Sequence, residues 1–264
     1  MKYEFVKLSP AQNMTIIVKS PVPRADQARV AGALMDYSSV YAEQAGFLEA
    51  PSLPGARLRL QMMGGEFCGN AAMCAAALAA REDGIAGDDE RAVAIEVSGA
   101  EGLTHCRVRA MDGFYACRVD MPLPVSFGKA RGMELVNLPG ITHAVLFTDD
   151  PEGMKGESPA LLREIAGETD ADAVGLILYS RAKSRIVPLV YVRSTDTMVW
   201  ERGCGSGSAA VGALEARIAG GAAEVTLAQP GGRITARATW DGRSISALSI
   251  SGEVRIAAEG AAYI

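Results

Sequence analysis

Two cysteines stand in matching local sequences about half the chain apart, and a pair of thiols can act as acid and base. Around both Cys68 and Cys204, an acidic residue precedes the cysteine, and a glycine and a polar residue follow it. Stretches rich in alanine and glycine come next, a composition typical of helices that are enclosed on every face. These two helices are predicted over 69–81 and 205–218. Each cysteine is therefore expected at a helix start.

A helix N-terminus favours both a thiolate and a bound carboxylate. The first backbone N–H groups have no helical acceptor, and the helix dipole adds about half a positive charge. We therefore expect the pKa of each thiol to lie below its ordinary value. The same N–H groups can hold a carboxylate. The residues predicted to bind a substrate carboxylate are Gly69, Asn70, Gly205 and Ser206.

The repeat of this arrangement predicts a two-base mechanism at the α-carbon of an amino acid. One thiolate removes the α-proton and the second thiol delivers a proton to the opposite face, which inverts the configuration. Positive potential at the helix starts would stabilise the developing enolate. This interpretation makes the chain a cofactor-independent amino-acid racemase or epimerase with Cys68 and Cys204 as catalytic residues.

Two alternatives for the cysteines come from other classes. Both could be buried packing residues, as many free cysteines are, or they could form a redox-sensing dithiol without catalysis. Their repeated context favours chemistry at Cys68 and Cys204. By contrast, Cys74 lies inside the first helix, and Cys106 and Cys117 lie in strand patterns, so these three are interpreted as packing residues.

The segment Gly203–Gly207 also resembles a dinucleotide-binding turn. Its spacing is G-x-G-x-G rather than G-x-G-x-x-G, and that motif is weak evidence by itself. A nucleotide site there would leave the Cys68 segment unexplained. The acid–base interpretation accounts for both segments.

Composition excludes several classes of protein. The 264 residues carry a formal net charge of -5, whereas nucleic-acid binders show a basic surplus. No apolar run approaches the roughly 20 residues of a membrane helix. The first seven residues alternate like a strand and lack the apolar core of a signal peptide. We therefore expect a cytoplasmic protein that binds neither nucleic acid nor membrane.

Cysteine and histidine counts argue against disulfides and metal. The five cysteines are an odd number, and no CxxC pair occurs. Only two histidines, His105 and His143, are present. A structural zinc site usually needs four clustered ligands, so we predict no metal.

Hydrophobic patterns predict an α+β fold that is rich in strands. Strands are predicted over 3–8, 14–19, 57–62, 93–98, 103–110, 114–121, 143–147, 173–179, 186–192, 197–200, 224–228, 234–239 and 245–250. Further helices are predicted over 25–35 and 158–167, the latter with Ser158 as its N-cap and Pro159 at its first position. Because the cysteine segments repeat, we expect two pseudo-symmetric lobes, each a curved, mostly antiparallel sheet around a central helix. The N-terminal lobe would span 1–121 and the C-terminal lobe 122–251, with a boundary near Pro122–Pro124.

At these residues the chain resembles the diaminopimelate epimerase superfamily, which includes proline racemases. The resemblance is carried by Cys68-Gly69-Asn70, Glu201-Arg202-Gly203 and Cys204-Gly205-Ser206-Gly207. It implies two lobes with a substrate site between them, a C-terminal strand over about 252–264 that returns to the first lobe, and no cofactor. It also implies a homodimer.

Departures from diaminopimelate epimerases concern the substrate. Those enzymes place several residues between Glu-Arg-Gly and the second cysteine, whereas here Gly203 directly precedes Cys204. They also carry a Gly-Asn-Pro-His segment that grips the distal end of the substrate, and here the stretch reads Gly140-Ile-Thr-His143. A second distal asparagine is replaced near Ala173. The resemblance therefore implies a different side-chain pocket, although diaminopimelate, proline and other amino acids stay open as substrates.

A closer resemblance is to the histidine racemases of opine-metallophore biosynthesis. Shared segments are Asn13–Ile16, Glu43–Phe47, Glu66–Ala71, Cys204–Ser208, Gln229–Gly232 and the ending Ala262–Ile264. This resemblance implies conversion of L-histidine to D-histidine without pyridoxal phosphate, as a step toward a metal-chelating opine.

The resemblance also implies roles for other residues. Glu201 would bind the α-ammonium group, and Asn13 would line the pocket. Glu43 and Gln44 would recognise the substrate side chain, and Arg202 is a further candidate for binding. Simpler roles stay open: helix capping for Asn70 and Ser206, a first-turn acid for Glu201, a turn for Asn13, and a surface loop for Glu43 and Gln44.

Overall fold

Strands hold more residues than helices in the computed structural model, which describes residues 1–87 and 89–264. Sixteen strands and four α-helices occur within those ranges, which confirms the predicted α+β class. The chain forms two compact units, one of Met1–Asp120 with Ser251–Ile264 and the other of Met121–Ile250. In the described part of the chain, no helix combines the length and apolar character that crossing a membrane requires.

The first unit contains seven strands that are hydrogen-bonded in chain order. They are β1 (Lys2–Pro10), β2 (Thr15–Val18), β3 (Gln44–Glu49), β4 (Arg59–Met62), β5 (Glu90–Val97), β6 (Leu103–Met111) and β7 (Phe114–Asp120). Their pairs are antiparallel except for β2 with β3 and β4 with β5. The last strand of the chain, β16 (Ile245–Tyr263), begins in the second unit, and its residues Val254–Tyr263 pair with β1.

Helices α1 (Arg24–Met35) and α2 (Gly69–Glu82) complete the first unit. Every residue of α2 from Gly69 to Ala80 is buried. This helix contacts β1 and β2 at one end of the row of seven strands, and β5, β6 and β7 at the other end. The sheet therefore curves around α2, and the small side chains let it approach from every side. The N-terminus of α2 is fixed by that enclosure.

The second unit is built in a similar style around another small-residue helix. Its strands are β8 (Ser126–Ala130), β9 (Met133–Leu138), β10 (Ile141–Phe147), β11 (Ala173–Ser180), β12 (Arg185–Val192), β13 (Thr197–Trp200), β14 (Ala222–Gln229) and β15 (Gly232–Trp240). The order is β15-β14-β12-β11-β10-β9-β8, and β13 pairs with β12. Parallel pairs are β10 with β11 and β12 with β14. Helix α3 (Ser158–Gly167) packs on β11 and β12.

Helix α4 (Gly205–Ala219) lies within this sheet and contacts β9, β10, β14 and β15. Contact with β15 is close enough that Gly212 has no room for a side chain, because an added Cβ would lie 2.6 Å from the Cβ of Ala236. The helix ends at Gly220, whose left-handed φ of 69° suits a glycine C-cap.

Three strands were not predicted from the sequence: β3, β8 and β9. Strand β3 has a polar start and a glycine inside it, which hides its pattern. Strands β8 and β9 form a hairpin through Arg131-Gly132, where both residues have positive φ. Arg131 is an unusual choice for such a turn, but its guanidinium binds Glu164 and Glu168. The tertiary contact replaces the usual Asn-Gly or Asp-Gly signal.

The prediction that Ser158 is an N-cap is wrong. Ser158 is the first residue of α3, and Glu157 precedes it in helical conformation. A short 3₁₀ turn over Gly153–Gly156 leads into the helix, and the Ser158 hydroxyl donates to the carbonyl of Met154 at 2.8 Å. The side chain thus closes the preceding turn rather than capping the helix.

Replacement of Gly212 by alanine should lower the free energy of unfolding by about 1–3 kcal/mol, because the added methyl group collides with Ala236. Urea unfolding measures this change. The matched control is Gly32→Ala at an exposed position of α1, where the added Cβ meets no described atom of another element within 4 Å. That control should gain about 0.5–1 kcal/mol from helix propensity. Equal effects at the two positions would contradict the packing described for α4.

Candidate active site

Cys68 occupies the N-cap position of α2, one residue before the helix begins. Its backbone is extended, with φ −129° and ψ 111°. The carbonyl accepts the N–H of Ala72 at 2.9 Å, and the Sγ atom accepts the N–H of Ala71 at 3.4 Å. The thiol sulfur is therefore held at the positive end of the helix, and it is only half-buried.

The loop that leads into Cys68 is braced from the end of β5. The hydroxyl of Ser98 donates to the carbonyl of Glu66 at 2.8 Å and accepts the N–H of Met62 at 2.9 Å. Gly99 follows with φ +72°, and a Cβ there would lie 2.4 Å from the nitrogen of Phe67. Only glycine permits this approach, so Gly99, two residues after β5, helps to place the loop before the thiol.

A chain of hydrogen bonds links Cys68 to three residues that the sequence identified as pocket candidates. The thiol donates to Oε1 of Gln44 at 3.1 Å. The Gln44 amide donates to Oδ1 of Asn13 at 2.7 Å and to the hydroxyl of Thr15 at 2.8 Å. Asn13 in turn donates to Oε2 of Glu43 at 2.9 Å. The structure thus brings Asn13, Glu43, Gln44 and Cys68 together.

The structure bears on the simpler roles that the sequence left open, a turn for Asn13 and a surface loop for Glu43 and Gln44. Asn13 ends a turn in which its N–H donates to the carbonyl of Pro10, so a turn role coexists with the contacts to Glu43 and Gln44. Gln44 is not in a loop, because it begins β3. Glu43 is exposed and precedes that strand. Sequence reasoning missed Thr15, whose pairing with Gln44 across β2 and β3 has no local signal.

Cys204 is the N-cap of α4 and repeats the geometry of Cys68 within the second unit. Its φ is −104° and its ψ is 106°. The Sγ atom accepts the N–H of Gly207 at 3.2 Å, and the carbonyl accepts the N–H of Ser208 at 3.1 Å. Gly207 is needed because a Cβ there would lie 2.9 Å from the sulfur. Unlike Cys68, Cys204 is only 2% exposed.

Burial changes the acidity of Cys204 in the opposite sense to the sequence-based expectation. Removal from water raises the pKa of the Cys204 thiol well above its ordinary value, and the nearby carboxylate of Glu201 raises it further. Hydrogen bonds from Ser206 and the Gly207 N–H act in the other direction but are outweighed. The prediction of a lowered thiol pKa is therefore wrong for Cys204. Desolvation destabilises the thiolate by more than the helix N-terminus stabilises it.

The remaining candidates near Cys204 take different positions. Glu201 follows β13, and its carboxylate contacts the Cys204 thiol. It precedes α4 by several residues, so the alternative of a first-turn acid is wrong. Arg202 is exposed, and its carbonyl accepts the N–H of Gly231 at 2.7 Å. Ser206 lies inside α4 with its hydroxyl 3.6 Å from the Cys204 sulfur.

Asn70 and Ser206 are not helix caps. The cap positions belong to Cys68 and Cys204, and Asn70 and Ser206 are the second residues of their helices. The alternative of simple N-capping is therefore wrong for both. Gly69 and Gly205 are the first helical residues, so all four predicted carboxylate binders lie at helix starts. There the backbone N–H groups point along the helix axis toward the N-terminal side.

The other three cysteines are packing residues, as predicted. Cys74, Cys106 and Cys117 are each at most 3% exposed, and burial raises the pKa of all three thiols. Each of the five cysteines is a free thiol.

His143 packs beneath Ser206 and is fully buried. Its Nε2 atom lies 2.9 Å from the Ser206 hydroxyl, whereas Nδ1 has no hydrogen-bond partner in the ranges 1–87 and 89–264. Gly175 faces the ring from β11, and a Cβ there would lie 2.2 Å from Nδ1. Burial lowers the pKa of His143 to about 3, so the ring is neutral. Sequence reasoning favoured a structural role for His143 over one at the pocket edge, and it did not identify the contact with Ser206.

Two further residues near Cys204 were missed. Gln229 accepts the N–H of Cys204, and Ser208 donates to its carbonyl. Gln229 was noticed only as part of a Gln-Pro-Gly-Gly turn. No local pattern shows that the end of β14 reaches the start of α4.

Comparison with known families matches almost the whole chain. Residues 2–263 match the family model described as the histidine racemase CntK N-terminal domain. The chain is 28% identical to a histidine racemase of Staphylococcus aureus strain Mu50, over 99% of this chain and 97% of that protein. It is also 29% identical to a diaminopimelate epimerase of Rhodospirillum centenum, over 89% of this chain and 84% of that protein.

A solved structure shows the same fold at low sequence identity. The hydroxyproline epimerase of Agrobacterium vitis, with bound trans-4-hydroxy-L-proline, aligns with a TM-score of 0.71 and 13% identity. The alignment covers 98% of this chain and 92% of that one. This match shows the fold, and the family match with the two relatives confirms the resemblance to histidine racemases and diaminopimelate epimerases.

Neutral burial of His143 predicts a dependence of stability on pH. The folded pKa of about 3 lies below the unfolded value of about 6.5, so the unfolded chain binds a proton first as the pH falls. The stabilisation is complete above pH 6.5 and is lost progressively towards pH 3. In His143→Asn, the fall in thermal midpoint between pH 7 and pH 4 should be shallower than in the wild type. The control is His105→Asn, at an exposed position. A wild-type slope in His143→Asn would contradict this account.

Proposed function

Because the chain belongs to the histidine racemase CntK N-terminal domain family, we propose that it interconverts L-histidine and D-histidine, with Cys68 and Cys204 as acid and base. Family membership makes the chain an amino-acid racemase, an isomerase. The proposal of histidine as substrate is supported by the match over nearly the full length to named histidine racemases. Pyridoxal phosphate has no role in the proposed reaction.

The observation that supports the two-thiol mechanism is the shared position of the two cysteines. Each is the N-cap of a buried helix, and each Sγ atom accepts an N–H from the first helical turn. A sulfur in this position can carry negative charge, since the N–H group and the helix dipole both face it. Cys74, Cys106 and Cys117 lack this setting. The proposal therefore assigns the chemistry to Cys68 and Cys204 alone.

Helix starts supply the groups that would hold the substrate carboxylate. At α4, Gln229 already binds the N–H of Cys204, and the sulfur binds the N–H of Gly207. Gly205 and Ser206 therefore provide the donors at this helix, and Gly69 and Asn70 provide them at α2. As the α-proton leaves, charge develops on the carboxylate oxygens, and donors that are already oriented stabilise it without reorganisation.

The protonation state of Cys204 decides which thiol gives the proton and which one takes it. Because burial keeps this thiol protonated, Cys204 is the proton donor in the direction in which Cys68 is the base. The α C–H bond breaks as an S–H bond forms on Cys68, and the electron pair passes to the carboxylate system. The Cys204 S–H bond then breaks as the new C–H bond forms. Cys68 ends as a thiol and Cys204 as a thiolate, and the reverse reaction exchanges these roles.

Substrate recognition is assigned to the polar residues around each cysteine. Glu201 would accept hydrogen bonds from the α-ammonium group, and its contact with the Cys204 thiol places a negative charge beside the reacting group. Asn13, Glu43 and Gln44 would recognise the side chain, since Glu43 is an exposed carboxylate that can accept an imidazole N–H. Arg202 is proposed as a further contact at the rim.

The proposal also covers the compartment, the oligomeric state, the partners and the pathway of the enzyme. We expect a cytoplasmic homodimer that binds neither nucleic acid nor membrane. Five free thiols suit a reducing compartment, and the net charge of -5 disfavours binding to nucleic acid. The dimer and a place in opine-metallophore biosynthesis rest on resemblance. Sedimentation of the purified protein tests the dimer directly.

Replacement of either catalytic cysteine by serine should abolish net racemisation of histidine. A serine hydroxyl is too weak an acid to exchange protons with the α-carbon, and loss of one acid–base group costs about 100-fold or more. Chiral chromatography of L-histidine incubations measures the rate for Cys68→Ser and Cys204→Ser. Cys106→Ala, at a buried cysteine inside β6, is the control and should stay active.

Full activity in either serine variant would exclude the two-thiol mechanism. Wild-type activity with diaminopimelate but none with histidine would instead return the chain to the substrate of its epimerase relatives. These outcomes separate the mechanism from the choice of substrate.

Glu43→Gln should raise KM for histidine by about 10-fold or more and change kcat less, because a hydrogen bond to a charged acceptor contributes about 1.5–3 kcal/mol. Steady-state kinetics with both enantiomers measure the effect. The control is Glu49→Gln at the other end of β3, where the carboxylate pairs with Arg24. Unchanged KM in Glu43→Gln would remove this residue from the substrate pocket.

A further inference from the structure

The backbone of Cys204 is held by two buried side chains that form a closed ring with it. Gln229, the last residue of β14, accepts the Cys204 N–H with Oε1 at 2.7 Å. The hydroxyl of Ser208 donates to the Cys204 carbonyl at 2.7 Å. The Gln229 amide then donates to the Ser208 hydroxyl at 2.7 Å. We refer to these three residues as the Cys204 ring.

The orientation of every polar group in the Cys204 ring is determined. Because a backbone N–H needs an acceptor and a hydroxyl has a single proton, Gln229 must turn its oxygen to Cys204 and its nitrogen to Ser208. The ring residues are at most 4% exposed, so water does not compete for these bonds. Loss of one member leaves buried polar groups unpaired, which costs about 1–3 kcal/mol each.

The ring fixes the conformation on which the Cys204 sulfur depends. An N-cap residue must be extended, and its carbonyl must point into the helix while its N–H points away. Gln229 engages that N–H, whereas Ser208 engages the carbonyl in addition to the helical N–H. With both backbone groups held, Sγ stays within 3.2 Å of the Gly207 N–H.

We propose that Gln229 and Ser208 are positioning residues for Cys204, and that the ring holds this thiol in the geometry needed for proton transfer. The inference rests on the proposed role of Cys204 as an acid–base group. At the other site the bond has a different form, because Gln44 accepts from the Cys68 thiol itself.

Gln229→Met tests the proposal, because methionine keeps the volume but cannot hold the Cys204 N–H. We expect kcat for histidine to fall about 100-fold, as misplaced catalytic groups do, while KM changes little. We also expect faster alkylation of Cys204 by iodoacetamide, measured by mass spectrometry of its peptide, with Cys68 unchanged as an internal reference. The matched control is Gln27→Met, which removes a glutamine that is equally buried and hydrogen-bonded at α1.

Gln229→Glu provides the conservative comparison. A carboxylate can still accept the Cys204 N–H, but it draws the single proton of the Ser208 hydroxyl away from the Cys204 carbonyl, so kcat should lie between those of Gln229→Met and the wild type. Its negative charge beside the thiol should move the pH optimum upward. If the ring had a purely structural role, Gln229→Met would keep the wild-type kcat and the wild-type alkylation rate of Cys204.

The proposal is overturned if Gln229→Met loses only thermal stability, as Gln27→Met should, and keeps the wild-type kcat and Cys204 alkylation. If Gln229→Met does not fold, Gln229→Glu and Ser208→Ala decide, and wild-type kcat and pH profile in both would overturn it. If the wild type racemises no amino acid, the proposed function fails. The alkylation of Cys204 in these variants still tests the ring in that case.

Discussion

The site depends on one local arrangement, a cysteine whose sulfur caps a buried helix. In α2 and in α4 the side chain takes the place usually filled by serine, threonine or aspartate, and Sγ accepts an N–H from the first turn. A buried cap of this kind requires a helix of small residues that a sheet can enclose. At an exposed helix end, water would hydrate the sulfur. Enclosure of α2 and α4 by curved sheets therefore serves the position of two sulfurs.

The two helix starts share geometry but differ in environment. Cys68 is half-buried and bonds through its thiol to Gln44, whereas Cys204 is almost fully buried and is held through its backbone by Gln229. Burial keeps the proton on Cys204 against the pull of the helix dipole. The same cap motif thus stands in two environments of different burial, and the raised pKa of Cys204 suits its proposed role as the group that gives a proton.

Sequence patterns were sufficient where chemistry and fold are local. The two cysteine segments, the four helices and most strands follow from residue spacing, and Asn13 and Gln44 followed from resemblance. The missed features depend on contacts distant in sequence. The turn at Arg131 is stabilised by α3, and the end of β14 reaches Cys204 through Gln229. The wrong expectation for the Cys204 pKa has the same origin, because burial depends on the folded chain.

The most direct test of the two-thiol account is the course of isotope exchange in D₂O. L-Histidine is incubated with the reduced enzyme, and each enantiomer is separated at low conversion and analysed by mass spectrometry. Because one thiol removes the proton and a different thiol supplies the new one, D-histidine should carry one α-deuterium while the remaining L-histidine keeps its proton. Equal early deuteration of both enantiomers would show a single exchanging base, and would contradict the roles assigned to Cys68 and Cys204.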